Sequence, residues 1–215
     1  MSSFSTSSGS TPLPLEIRII EHLDADYGLY TWPCAPILAQ YVSAHRELVQ
    51  GAEVIELGAG TGIPGIVAAK CGAHVTLTDK PCIVENLEAT CRLNGLADVK
   101  VFPLTWGIFT PEILGLTPPE IILASDCFYE SQDFEDILAT VNYFVDKNPK
   151  CTFWTAYQER STNRTLFHLL ERWGLSCKAV PLESFVNNNV RINGLCSRKL
   201  STDHTIYMWE ITRKT

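Results

Sequence analysis

The chain has 215 residues, a formal charge of −7 and 46% hydrophobic residues, which suits one large α/β domain with a single core. The negative balance argues against a general binder of nucleic-acid backbones, which present basic surface, and fits a small molecule or a basic polypeptide better. The eight cysteines form no CxxC pair and have no histidine at metal-ligand spacing; several lie inside apolar runs, as reduced cysteines do in intracellular proteins. No apolar stretch reaches the length of a membrane span and no basic-then-apolar leader opens the chain. The expectation is a soluble intracellular protein with no membrane partner and no direct nucleic-acid partner.

Residues 1–14, rich in Ser, Thr and Pro, predict a disordered tail, with one domain over 15–215. Leu15 to Glu21 reads as a short strand, and Tyr27 to Pro33 as an aromatic turn. Pro33 suits the first turn of a helix running to about Leu48. Strands are then expected near 52–57, 73–78, 99–104, 120–125, 150–156, 176–181 and 204–212. Helices are expected near 63–71, 82–94, 132–146 and 162–173. This alternation predicts a mainly parallel, doubly wound α/β sheet. The last strand follows its neighbour without an intervening helix, so it is expected antiparallel, beside the 176–181 strand. The polar segment 184–203, with three consecutive asparagines, reads as a long loop.

The run Val54 to Gly62 (VIELGAGTG) carries the strongest chemical signal. Two β-branched residues end a strand, and three glycines then fall within five positions, where the backbone can turn sharply and a ligand can approach closely. The helix beginning at Ile63 is expected to direct free amides at that ligand. A dinucleotide fingerprint would need glycine where Ile63 stands. Glu56, before the first glycine, suits a ligand with an ammonium group better than a pyrophosphate. Asp79, ending the next strand, suits ribose hydroxyls. Acid, glycines and then a strand-end carboxylate form the pattern expected for S-adenosylmethionine, although a strand–turn–helix connector without a ligand has the same outline.

Ligands of such sheets bind beyond the carboxyl ends of the strands. Trp106 there can stack on adenine or simply be buried, and Trp32 serves equally well as a core anchor. Asp126, after the apolar strand 121–124, stands where a reactive nitrogen can be held, or caps the next helix, although Ser131 suits that role better. Tyr129 and Glu130 follow it. A carboxylate and a phenol can orient and desolvate an amine or guanidinium; Glu130 has an equal reading as a solvated residue entering a helix. The five histidines are scattered and pair with no serine or cysteine in a nucleophile motif.

The runs Tyr30-Thr31-Trp32-Pro33-Cys34-Ala35, Glu56 to Gly62, Leu104-Thr105-Trp106-Gly107 and Leu123-Ala124-Ser125-Asp126 carry a family resemblance, with Asp133 to Thr140 and Pro181 to Phe185. From Tyr30 to about Glu210 the chain resembles the seven-strand, Rossmann-like class I methyltransferases and, within them, the methyltransferase-like family sixteen. The resemblance implies S-adenosyl-L-methionine contacts at Trp32, Gly58, Ala59, Gly60, Asp79, Trp106 and Ser125. It implies protein methylation in a branch associated with arginine of histone H3, with chaperone association, and a distribution between nucleus and cytoplasm.

The acceptor stays open at this level. Asp126 to Tyr129 spells the D-x-x-Y motif of the family's lysine methyltransferases. The arginine-associated branch has phenylalanine at the position of Tyr129, followed by the acid that here is Glu130. The paired-glutamate loop of the better-known arginine methyltransferases is missing from the sequence. The expectation is a protein N-methyltransferase with Asp126, Tyr129 and Glu130 at the acceptor. Arginine is the leading acceptor and lysine the alternative; a binding module associated with chaperones or chromatin is a third reading.

Overall fold

A computed structural model describes residues 15–22, 29–159, 166–186, 190–193 and 205–214. The expected tail and parts of the 184–203 segment and the 162–173 helix lie outside these. In chain order the elements are β1 (Leu15–Arg18), α1 (Cys34–Ala44), α2 (Arg46–Val49), β2 (Glu53–Leu57), α3 (Ile63–Lys70), β3 (His74–Asp79), α4 (Pro81–Leu93) and β4 (Lys100–Pro103). Then come α5 (Pro111–Leu114), β5 (Ile121–Ser125), α6 (Phe134–Lys147), β6 (Thr152–Gln158), α7 (Phe167–Arg172), β7 (Leu175–Val180), β8 (Val190–Asn193) and β9 (Ile206–Arg213).

Seven strands form one sheet in the order β4-β3-β2-β5-β6-β9-β7. All neighbours pair in parallel except β9, which lies antiparallel between β6 and β7. The doubly wound sheet and its antiparallel last strand are thus as the alternation of elements predicts. Its central strands are buried along nearly their whole length, which is why they read as apolar runs rather than alternating ones.

Strand alternation still sorts their side chains into two cores. Val54, Leu77 and Leu123 pack under α1, α3 and α4 with Leu38, Ile66 and Leu87. Ile55, Ile122 and Phe153 pack under α5, α6 and α7 with Ile113, Val141, Phe144 and Leu170. Glu56 shares the face of Val54, so it points toward α3. That parity decides its role below.

The structure departs from the expectations in three places. The helix expected over 33–48 breaks at His45, whose backbone leaves helical dihedrals (φ −110°, ψ 35°), while its Nδ1 lies 2.9 Å from the Tyr41 carbonyl oxygen. The short α5 has no apolar periodicity to announce it. The segment expected as a continuous loop over 184–203 contains β8, which pairs in parallel with β1 as a separate two-stranded sheet. Val190 and Ile192 alternate with polar residues there, a four-residue pattern too short to stand out beside three asparagines.

Candidate active site

The strand order reverses between β2 and β5, the topological switch point of the sheet. A cavity of about 760 Å³ opens there, against the C-terminal ends of β2, β3 and β5. Trp32, Gly58, Ala59, Gly60, Asp79, Trp106, Ser125, Asp126, Tyr129 and Glu130 all line it. The structure therefore brings together every expected site residue but one.

The exception is Glu56. It is fully buried and does not line the cavity, so it does not stand where the sequence predicts it, facing a cofactor ammonium. Its side chain turns to the α3 face, where Oε2 accepts the Gly65 N–H at 2.8 Å. Burial pushes its carboxyl up to about 8, with the nearby Asp79 adding to the shift and the Gly65 bond opposing it. The expectation that free amides of α3 face the ligand is narrowed with it. Pro64 has no N–H, and that of Gly65 is spent on Glu56.

The glycine turn is held by backbone and carboxylate together. Ala59 N–H donates to the Thr78 carbonyl at 3.0 Å, and Gly60 N–H donates to Asp79 Oδ2 at 2.7 Å. Asp79 Oδ1 accepts the Lys80 N–H at 2.7 Å. Each Asp79 oxygen keeps a second lone pair for a hydroxyl donor, the number a ribose diol needs. Burial raises the Asp79 carboxyl, and the two amides oppose that shift. Gly58 has φ +59°, and a Cβ there would stand 2.8 Å from both Cys127 Sγ and Trp106 Cζ2. Only glycine fits between those side chains.

The other wall belongs to the segment after β5. Asp126 N–H bonds the Ala156 carbonyl at 2.8 Å, extending the ladder to β6 by one residue. Asp126 then takes φ +56°, the sole non-glycine residue with positive φ among those described. A left-handed backbone thus coincides with a buried carboxylate at the cavity, and such outliers cluster at active sites and ligand clamps. Cys127 donates to the Leu57 carbonyl at 3.3 Å, which ties this segment to β2; burial lifts its thiol well above the ordinary range, so it is no nucleophile. Burial, then neighbouring acids and the Cys127 thiol, also raise the Tyr129 hydroxyl, which stays neutral and protonated.

Sequence reasoning missed Asp133 and Asp136, which also line the cavity. The signal was available: Glu130, Asp133 and Asp136 follow one another at steps of three, and that spacing keeps carboxylates on one side of a helical turn. Among the described residues, five carboxylates (Asp79, Asp126, Glu130, Asp133 and Asp136) thus face the cavity against one cationic side chain, Lys80.

A family model described as lysine methyltransferase matches residues 13–173. The chain belongs to this methyltransferase family. Among its relatives, the histone-arginine methyltransferase METTL23 of Rattus norvegicus is 48% identical over 180 residues, covering 82% of this chain and 80% of the relative. The Homo sapiens protein of the same name is 48% identical over 160 residues, covering 73% and 84%. The protein N-lysine methyltransferase METTL21A of Mus musculus is 34% identical over 123 residues, covering 54% and 55%. Among solved structures, a ribosomal protein L11 methylase from Lactobacillus delbrueckii gives a TM-score of 0.58 at 17% identity, covering 88% of this chain and 84% of the other. At that identity the likeness speaks for the fold alone.

Family membership makes the chain an S-adenosylmethionine-dependent methyltransferase, and the cavity fits that cofactor. The glycine turn lining the cavity, the two Asp79 oxygens with lone pairs to spare and the aromatic side chains of Trp32 and Trp106 suit a nucleoside carrying an amino-acid arm.

Proposed function

We propose that this methyltransferase modifies a basic side chain of a protein, arginine in histone H3 being the leading acceptor. The observation that carries the reading is the charge of the cavity: among the described residues, and leaving Asp79 to the cofactor, four carboxylates to one lysine make a poor place for an anionic acceptor and a good one for a guanidinium or an ammonium. The names of the relatives that match most of the chain, histone-arginine methyltransferases, support the same acceptor.

When bound, the cofactor supplies an electrophilic methyl group on a sulfonium sulfur. The chain supplies alignment and desolvation. Asp126 accepts an N–H of the acceptor and aims its nitrogen, while Tyr129 walls the channel as a neutral phenol. Glu130 draws positive charge toward one guanidinium nitrogen, which leaves the other more nucleophilic. The proton lost from the methylated nitrogen goes to the Asp126 carboxylate.

A second reading makes lysine the acceptor. Tyr129 favours it by completing D-x-x-Y, and so does the description of the family model. The test incubates the full chain with methyl-labelled cofactor and recombinant core histones, then hydrolyses the products and identifies the labelled amino acid. Methylarginine in histone H3 supports the first reading, and methyl-lysine replaces it with the second. No label on any histone overturns both for that substrate and moves the search to non-histone proteins, chaperones among them.

A further inference from the structure

Glu56 is a buried acid that the transfer itself does not use. It is the penultimate residue of β2, is fully inaccessible, and its Oε1 has no hydrogen-bond partner among the described residues. Burying such a group costs free energy that a well-made hydrogen bond must offset.

That bond serves a defined deficit. The first amides of α3 have no partner within the helix, and the residue at its N-cap, Gly62, has no side chain with which to cap them. The Gly65 N–H stands where a capping side chain would normally bond. Glu56 Oε2 fills that place from β2, at 2.8 Å. The fit is tight: a Cβ on Gly65 would lie 2.5 Å from Glu56 Oε2 and 2.2 Å from Leu77 Cδ2. On its other side the Glu56 carbonyl accepts the Thr78 hydroxyl at 2.6 Å, next to the carbonyl that holds Ala59 and one residue before Asp79.

We infer that Glu56 is a positioning residue that shapes the cofactor turn from behind, latching α3 to β2 through Gly65 and so setting the Gly58–Gly62 backbone without touching the cofactor. The residue acts as a hydrogen-bond acceptor, and its charge is incidental. The inference holds whichever nitrogen is methylated.

The test is calorimetric titration of the full chain with S-adenosylhomocysteine, comparing Glu56→Gln and Glu56→Ala, with hydrogen exchange of the Gly65 amide alongside. Glutamine keeps an oxygen for Gly65, so its dissociation constant should stay within about threefold of the parent and the amide should stay protected. Alanine should weaken binding at least about tenfold and expose the amide, while turnover at saturating cofactor changes less than the dissociation constant does. Glutamine binding as weakly as alanine would show that the negative charge is what matters and overturn the latch. Parental affinity in Glu56→Ala would overturn it as well. If the alanine variant does not fold, the glutamine variant decides by the same thresholds.

Discussion

The two walls of the cavity are built on different physics. At the ends of β2 and β3, backbone geometry makes the site: a glycine turn, amides bonded to Asp79 and Glu56, and two side chains packed too closely on Gly58 for any Cβ. At the end of β5 the site is made of side chains. Asp126, Tyr129, Glu130, Asp133 and Asp136 meet there without a glycine among them, and among the described residues the one non-glycine positive φ falls on Asp126. A backbone-built wall is set by sterics and tolerates little. A side-chain wall can be retuned one residue at a time. Substitutions on the first wall should therefore move cofactor affinity, and those on the second should move transfer.

The largest separation of these two effects is expected from Asp126→Ala. Loss of the carboxylate that aims the acceptor should lower turnover by at least about 100-fold. The dissociation constant for S-adenosylhomocysteine should change less than about twofold, because the turn does not depend on this side chain. Calorimetry on the same preparation used for the methylation assay checks both. Full activity in the variant would remove Asp126 from the acceptor wall.

On the opposite wall, Gly58→Ala should reverse the pattern. The left-handed conformation alone costs an alanine about 1–2 kcal/mol, and the contacts at 2.8 Å force Trp106 or Cys127 to shift. Calorimetry should show cofactor binding at least about tenfold weaker. An unchanged dissociation constant would mean that the ligand does not sit over this turn.

The contrast also explains what could be read without coordinates. The backbone-built wall was legible because glycine, Asp79 and the order of strands and helices leave sequence patterns that follow from backbone sterics and topology. Glu56 was misplaced for a reason of parity. Its position before the glycines looks toward the ligand in one dimension, but strand alternation sends its side chain to the α3 face. Asp133 and Asp136 were passed over because helix-entry acids are usually solvated, and only the turn after β5 brings them over the cavity. Strand β8 escaped because four alternating residues carry too little pattern.

A smaller effect should split the two acceptors. If arginine is modified, Glu130→Gln should reduce transfer by roughly ten- to 100-fold, since it removes the charge that polarises the guanidinium, whereas Tyr129→Phe should keep transfer within about threefold. For a lysine acceptor the order inverts, and Tyr129→Phe becomes the damaging change. Initial rates on one histone H3 preparation, with all three proteins at saturating cofactor, are sufficient.

Smaller again is a pH effect from behind the turn. The folded-state value of about 8 for Glu56 lies above its ordinary 4.5, so the folded chain keeps a proton that the unfolded chain has released. Its contribution to stability is fully present below about pH 4.5, shrinks as pH rises, and is gone above about pH 8. Glu56→Gln should flatten the fall of the melting temperature across that window. Asp79, also raised by burial, keeps part of the acidic end of the slope. An unchanged slope would show that Glu56 does not carry that proton.

The weakest expected effect is at the rim. Asp136 is exposed and Asp133 partly so, so solvent and salt screen them far more than they screen Asp126. The Asp133→Asn/Asp136→Asn double variant should raise KM for a basic peptide only about two- to threefold at low salt, leaving turnover at saturation unchanged. The difference from the parent should disappear near about 0.5 M salt, where the Debye length falls to about 4 Å. A KM effect that survives high salt would mean that these acids contact the peptide directly. The side-chain wall would then extend from the acceptor channel onto the first turn of α6.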